Sequence, residues 1–536
     1  MKVMIRVLSK NKDLLLVIIS SIIAGLSFTY DNLSLFMWIG LIPFLYVFIN
    51  KIDNYKSGFR KGLTFGLVYY LVILRWIFDL YPITWIEMSN KDSIVLLFIG
   101  WLFISLLEGS VFGVILGFFT YIKTNNKALN VISISFLWII IEWIQGMGIL
   151  GFPWGKLAVS QVSILPIVQS VSLLGSLFIG FLIILVNGFL MIGITNIKFN
   201  RTIINKYIII AVSIFIVNLV FGLIKININN NNNLVDISII QGNISTEEKW
   251  SINDTKGHFK IYKDLTKEAI SKSENKTKMV FWPESAVPLN ITHSEWLQDE
   301  YINLAKENNV HFFTGVFHSD KEPIEKEYNS VYSINEEGEI GEKYFKRHLV
   351  PFGEVLPFKD ILFKLMPSLR NINMFDGYLV SGEEAVVVDT IYGKVGTVIC
   401  FESIFPSLVL DNVRIGAELI FVATNDSWFK DSEAVYQHND NSVLRAIESN
   451  RYVVRAANTG ISTVINNKGQ VINMLPPLES GYINTKIQFI DKDTVYSKVG
   501  DVLVLVAFMS LGATFLMKKR NKVRTRCASE KSTSSR

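Results

Sequence analysis

Three short segments of the chain each end an apolar run on a reactive side chain. Residues 280–285 read Val-Phe-Trp-Pro-Glu-Ser and deliver Glu284 behind a proline. Residues 344–354 read Tyr-Phe-Lys-Arg-His-Leu-Val-Pro-Phe-Gly-Glu and carry Lys346 and Glu354. Residues 395–406 read Val-Gly-Thr-Val-Ile-Cys-Phe-Glu-Ser-Ile-Phe-Pro, a β-branched run that stops on Cys400, with Glu402 two positions on. Singly, each has a bland reading: a buried thiol, a helix cap, a solvated charge. Together, a carboxylate, an ammonium and a thiol at one sheet edge make an acyl-transfer set. The carboxylate takes the thiol proton, the thiolate attacks a carbonyl, and the ammonium stabilises the oxyanion. The lysine also favours the thiolate by proximity of charge.

Positioning these groups requires a scaffold, and composition says where much of it lies. Of 536 residues half are hydrophobic and only 18% are charged, with a mean hydropathy of +0.35. Soluble domains carry about a quarter charged residues, so a large part of this chain belongs in lipid. Apolar runs at 14–28, 33–48, 62–78, 93–121, 131–147, 164–194, 207–224 and 499–517 predict a helical membrane bundle of about eight spans. Lys and Arg cluster before the first run, between the second and third, and after the fourth, sixth and eighth, whereas the other short loops carry only Lys91 and Lys156. That alternation predicts both termini in the cytoplasm and the long stretch between the last two spans on the outer side.

The domain boundaries expected on this basis are an N-terminal bundle at 1–225, an Asn-rich linker at 226–233 and a catalytic domain at 234–490. A final span follows at 499–517, then a basic tail at 518–536 whose Ser-rich end reads as disordered. Within the outer domain the period changes. Short β-branched or aromatic runs at 235–240, 279–282, 311–316, 331–334, 385–388, 393–399, 419–423, 452–456 and 462–465 read as strands. Helical stretches at 256–273, 294–308 and 434–450 are interleaved with them, which indicates a layered α/β domain. Basic residues flank apolar runs and form no patch with interleaved aromatics, so nucleic acid is not an expected partner. The two cysteines, Cys400 and Cys527, sit in dissimilar contexts and no His/Cys cluster is spaced for a metal, so neither disulfide nor metal is expected. Glu108 and Glu142 inside apolar runs, and Arg75 with Asp79, read as paired structural charges. The aromatic loop at 151–156 reads either as an interface anchor or as one wall of a lipid entrance.

The order Glu, Lys, Cys resembles the carbon–nitrogen hydrolase (nitrilase) superfamily, whose domain is an α-β-β-α sandwich. More narrowly, nearly the whole chain resembles the apolipoprotein N-acyltransferases of bacterial envelopes. The resemblance rests on Gly-Phe-Pro-Trp at 151–154, Gln-Gly-Asn-Ile at 241–244, Trp-Pro-Glu at 282–284, His-Leu-Val-Pro-Phe-Gly-Glu at 348–354 and Cys-Phe-Glu at 400–402. Asn-Asp-Ser-Trp-Phe at 425–429, Arg-Ala-Ile-Glu at 445–448 and the segment 455–462 complete it. It implies Glu284 as general base, Lys346 as oxyanion stabiliser and Cys400 as nucleophile, with Glu354 and Glu402 in support. Trp250, Phe401 and Trp428 would line the substrate entrance. Phe401 stands where some members have tyrosine, and Gln145 where many have arginine.

The implied reaction is two-step. A membrane phospholipid acylates Cys400 and leaves as lysophospholipid; the α-amine of a lipoprotein's S-diacylglyceryl-cysteine then takes the chain. No cofactor is implied, and the enzyme is expected to be a monomeric, integral protein of the bacterial inner membrane with its catalytic domain on the periplasmic side. A membrane-tethered amidase that uses water as acceptor is the alternative, and a transporter or scaffold without chemistry is a more distant one. The exposed-looking segment 358–374 is expected to dip towards lipid.

Overall fold

A long apolar run becomes a helix in lipid because only a helix pairs its own backbone groups there. The computed structural model describes residues 11–83, 89–195, 201–228, 233–249, 254–320, 326–365 and 379–533. It contains seven stretches long and apolar enough to cross a membrane: Lys12–Thr29, Asp31–Lys51, Asn90–Ile122, Lys127–Ile144, Ser176–Thr195, Lys206–Ile226 and Val502–Arg520. The run expected at 62–78 is instead helix α1 (Tyr55–Ile73), whose first turns carry Lys56, Arg60 and Lys61, followed by a 3-10 segment, Arg75–Leu80. It packs tightly on helix α2 (Asn90–Gly117). A Cβ at Gly66 would stand 2.7 Å from the Cα of Gly109, so small residues let the two backbones touch.

Three other expectations need correction. The run at 164–194 is broken: Leu165–Val168 and Val171–Leu174 are single turns, and Gly175 at φ +77° redirects the chain into α3 (Ser176–Thr195). A side chain at 175 would also strike the ring of Tyr496 at 2.5 Å. The basic tail, read as disordered, continues the last helix as far as Thr533. Arg75 does not pair with Asp79; its guanidinium meets Glu433 of the outer domain.

The outer domain is built from two six-stranded sheets. One has the order β12-β1-β2-β3-β4-β5 and the other β11-β10-β9-β8-β7-β6. The strands are β1 (Leu234–Gln241), β2 (Met279–Phe281), β3 (His311–Asp320), β4 (Lys326–Ile334), β5 (Ile340–Phe345), β6 (Val387–Thr390), β7 (Gly393–Ile399), β8 (Leu419–Thr424), β9 (Tyr452–Ala457), β10 (Ser462–Ile465), β11 (Val471–Leu475) and β12 (Gly481–Gln488). Each sheet has a parallel centre, β1-β2-β3 and β7-β8-β9, flanked by antiparallel strands.

Alternation along the strands sorts side chains into layers. Met279 and Phe281 face the second sheet and meet Phe421 of β8, whereas Val280 joins the layer beneath helices α4 (Thr255–Lys272) and α5 (Glu295–Asn308). The second sheet turns its other face to α6 (Pro406–Arg414) and α7 (Glu433–Ser449). Val398, Ile420, Val422 and Val443 of that layer belong to one apolar cluster with the membrane bundle. The result is an α-β-β-α sandwich whose second helical layer is seated on the membrane helices. Glu448 of α7 accepts the backbone N–H of Ser176 at 2.7 Å, so a carboxylate of one part caps the first turn of a helix in the other.

Candidate active site

The thiol sits where β7 stops. Cys400 has φ +53°, in the left-handed region that costs a β-carbon residue energy and is tolerated where surroundings over-determine it. What over-determines it here is Glu402, fully buried one turn on. Its Oε2 accepts from the N–H of Ile399 at 2.7 Å and the hydroxyl of Tyr344 at 2.8 Å. Its Oε1 accepts from the N–H groups of Arg347 at 2.6 Å and His348 at 3.0 Å. One carboxylate therefore ties the elbow to the end of β5, and so fixes Cys400 relative to Lys346. Pro406 then opens α6 at its first position, where a missing N–H is no loss.

Glu284 is delivered by the end of β2. Its backbone lies so close to β3 that a Cβ on Gly315 would stand 2.6 Å from the Cα of Glu284. Gly315→Ala is therefore expected to displace the carboxylate and slow turnover by about 100-fold, with a much smaller change in KM. Steady-state kinetics on the folded variant checks this.

The carboxylate of Glu284 is fully oriented. Oε1 accepts from Lys346 Nζ at 3.1 Å and Asn329 Nδ2 at 2.7 Å, and Oε2 from the N–H of Asn425 at 3.0 Å. With two lone-pair directions per oxygen, Oε1 is saturated and Oε2 keeps one acceptor position. That position is the basic one. Lys346, 1% exposed, also donates to Glu354 Oε1 at 2.7 Å, which leaves its third N–H for an oxyanion. Burial alone would lower the Lys346 pKa, but Glu284 and Glu354 together hold it well above the ordinary value. Glu354 is itself anchored, Oε2 accepting from the N–H of Val350 at 2.8 Å. For Cys400 burial pushes the thiol pKa up and Glu284 adds to this, against the opposing pull of Lys346. The resting thiol is thus protonated.

Beneath the elbow lies a buried ionic group that the motifs contain without explaining. Asp426 Oδ2 accepts from Arg455 Nη2 at 2.6 Å, and Oδ1 accepts from Thr424 Oγ1 at 2.8 Å and lies 2.9 Å from His438 Nδ1. Burial would raise Asp426, but Arg455 and His438 hold it far below the usual carboxylate range. Arg455 Nη2 also stands 2.9 Å from His438 Nδ1, while His438 Nε2 lies 3.1 Å from the carbonyl oxygen of Cys400. Asp426 Oδ1 calls for a proton on Nδ1 and the Cys400 carbonyl for one on Nε2, so no neutral tautomer satisfies both contacts. Cys400, Asp426 and His438 are the one group among the described residues with metal-ligand spacing. Asp426 and His438 are committed to Arg455 and to each other, so the group does not fit a cation.

The sequence-derived site thus converges: Glu284, Lys346, Glu354, Cys400 and Glu402 form one contiguous cluster. Phe401 stacks on Phe152 of the bundle loop with ring centroids 6.0 Å apart, and Phe152 stacks on Trp154. Trp154 is buried and donates to Gln437 Oε1 at 2.7 Å, so the loop at 151–156 is an inter-domain plug rather than an interface anchor. Trp428 is half-buried in the 3-10 turn Ser427–Phe429, beside Phe429, which packs on Trp76 of the bundle. Trp250 lies outside the described residues, as does most of the segment 358–374, of which Phe358 and Ile361 are exposed. A cavity of about 300 Å³ between the bundle loop and the outer domain is lined by Ile149, Leu349, Phe405 and Leu408 together with Arg347 and His348. Sequence reasoning missed Asn329, the Asn425 amide and Lys249. A buried asparagine in the middle of an apolar strand was the available signal for the first; nothing marked the other two.

The chain matches the carbon-nitrogen hydrolase family over residues 236–494 and the apolipoprotein N-acyltransferase N-terminal domain over residues 20–189. An apolipoprotein N-acyltransferase of Geobacter metallireducens is 28% identical over 500 residues, 92% of each chain. One of Bradyrhizobium diazoefficiens is 30% identical over 399 residues, 72% of this chain and 73% of its own. Among solved structures, a nitrilase-superfamily member from Saccharomyces cerevisiae aligns at 18% identity over 48% of this chain and 90% of its own, with a TM-score of 0.37. With a bundle and a carbon–nitrogen hydrolase domain joined in one chain, and relatives matched along most of their length, this protein belongs to the apolipoprotein N-acyltransferase family.

Proposed function

We propose that the protein moves an acyl chain from a membrane phospholipid, through a thioester on Cys400, to the α-amine of the S-diacylglyceryl-cysteine at the N-terminus of a lipoprotein. The observation that carries this reading is the seating of the nucleophile on the bundle, through the stack Phe401–Phe152–Trp154. An amidase for soluble amides has no use for an elbow held against membrane helices. An enzyme whose donor and acceptor both hang from lipid does.

In the first half-reaction the Sγ–H proton passes to the vacant position on Glu284 Oε2 as sulfur attacks the ester carbonyl. The third N–H of Lys346 meets the oxyanion. The ester C–O bond breaks, and Glu284 returns the proton to the lysophospholipid alkoxide. In the second, the acceptor amine attacks the thioester, its proton goes to Glu284, and the departing thiolate recovers it. Glu354 keeps Lys346 aimed, Glu402 keeps the elbow in register, and Trp250, Phe401 and Trp428 belong to the substrate entrance. The charge alternation of the loops supports a multi-pass inner-membrane protein with the catalytic domain on the periplasmic side and both termini cytoplasmic.

The test is reconstitution. Purified protein is incubated with phospholipid vesicles and a diacylglyceryl lipopeptide, and the peptide is read by mass spectrometry. One added acyl chain on the amine is expected, and none with Cys400→Ala. Product from Cys400→Ala overturns the thioester route. Ammonia from simple amides with no acylated peptide identifies the amidase instead.

A further inference from the structure

Lys249 closes a one-turn helix, Thr246–Lys249, and is 1% exposed. Its ammonium donates to the main-chain carbonyl of Glu284 at 3.1 Å, on the residue that carries the base. Among the described residues it forms no ion pair, whereas Lys346 is bracketed by the carboxylates of Glu284 and Glu354. An ammonium with three donors, held inside the protein against a carbonyl oxygen with no carboxylate partner among the described residues, is costly to keep unless its charge is used.

Charge counting indicates the use. In the hydrogen-bonded trio, Glu284 and Glu354 bring two negative charges and Lys346 one positive, so without Lys249 the trio is net negative by one. Moving the Cys400 proton to Glu284 does not change that sum. The thiolate, and then the tetrahedral oxyanion, would form inside a pocket that already repels them. With Lys249 protonated these four groups sum to zero, while Glu402 is held apart by Tyr344 and three backbone N–H groups, and the added positive charge lies on the Glu284 and Cys400 side. We propose that Lys249 is the second cation of the acyl-transfer site, supplying the free positive charge against which the Cys400 thiolate and the oxyanion form, while Lys346 is largely spent on its two carboxylates.

The ionisable groups that face Lys249 are Glu284 at the end of β2, Cys400 at the elbow and His258 of α4, with Glu248 beside it on its own turn. Lys346, Glu354 and Asp426 lie behind Glu284 and Cys400. Burial brings the Lys249 pKa down to about 8, against the upward pull of Glu284 and Cys400. The group is charged at neutral pH and sheds its proton within an accessible range. Lys249 keeps its proton through both half-reactions. In the second it disfavours entry of a protonated acceptor amine and so favours the free base that attacks. The inference rests on the acyl-transfer reading for its purpose, but its test needs no lipid.

The experiment is alkylation of Cys400 by iodoacetamide in the full-length protein in detergent, followed from pH 6 to 10. Mass spectrometry on the Cys400 peptide keeps Cys527 out of the measurement. In the wild type the rise of rate with pH slackens through the region around 8 as Lys249 loses its charge. Lys249→Met is expected to be about tenfold slower at pH 7 and to show no slackening. Lys249→Arg, a cation that does not titrate, is expected to stay within about threefold of wild type at pH 7, also without slackening. A merely structural lysine would not produce that pair of profiles. A wild-type profile in Lys249→Met, or Lys249→Arg as slow as Lys249→Met, overturns the proposal. If Lys249→Met shows no cooperative unfolding, Lys249→Gln replaces it under the same criteria. Acyl transfer to the lipopeptide is scored in parallel: its absence in the wild type overturns the acyltransferase reading, and the alkylation profiles still decide the role of Lys249.

Discussion

Glu284→Gln is expected to slow both half-reactions by about 10³-fold while the protein stays folded. The substitution is isosteric, yet the site cannot accommodate it neutrally. One terminal atom must accept from Lys346 and Asn329, so the amide oxygen takes that side. The amide nitrogen then faces the N–H of Asn425, donor against donor, at the position where the acceptor site on Oε2 had been. The base is lost and the orienting bond from Asn425 is lost with it. Lys346 keeps Glu354 as its only carboxylate, so the ammonium stays charged and buried. In the proposed mechanism Glu284 takes the proton from thiol and amine alike, so thioester formation in a single turnover and aminolysis of a preformed thioester should fall together. A variant slowed only in the first step would show that the amine finds another base.

That the cluster of Glu284, Lys346 and Cys400 was legible in the sequence, and the groups around it were not, follows from where each residue lies. Glu284, Lys346 and Cys400 each end an apolar run, and a run that stops on a polar group is visible in one dimension. Asn329 is polar within a strand, and the Asn425 contribution is a backbone amide; both become functional only when sheet order brings β4 and β8 beside β2 and β7. Lys249 follows two glutamates in a one-turn helix and looks like a solvated charge until Glu284 is folded over it.

The strands tell the same story. Central strands such as β7 and β8 are apolar on both faces and were readable. The three that escaped, β5, β11 and β12, are all at sheet edges, where one face meets water and the residues are mixed, as in Ile-Gly-Glu-Lys-Tyr-Phe of β5. The membrane part was legible by its runs, but the break at Gly175 was not. A left-handed glycine between apolar residues leaves their composition unchanged.

Asp426→Asn is expected to cost about 3–5 kcal/mol of stability, because it removes one partner of a buried ion pair and leaves the other. Arg455 is fully buried and cannot shed its proton, so the uncancelled guanidinium remains inside the sandwich directly beneath the elbow. Asparagine keeps the shape and, with its oxygen on Thr424, turns an amide N–H towards Arg455, so the charge and the acceptor are lost there together. The pH dependence has a definite sign. Asp426 is held far below the usual carboxylate range in the folded protein, so its contribution is fully present above the unfolded value. It is lost only as pH falls through the much lower folded value. The gap between wild type and Asp426→Asn should therefore be constant from pH 7 to about 5 and close only in stronger acid. Replacing both partners, Asp426→Asn with Arg455→Met, should recover much of the loss, since a buried pair is dispensable where half of one is not. The double variant would then separate fold from function. With Arg455 and the Asp426 carboxylate both replaced, the two partners of His438 Nδ1 are gone, and the ring that touches the Cys400 carbonyl through Nε2 is no longer held. Thermal unfolding in detergent reads the first effect. Single-turnover acylation of Cys400 reads the second, and a double variant with wild-type stability and wild-type acylation would show that the ionic group serves the sandwich alone.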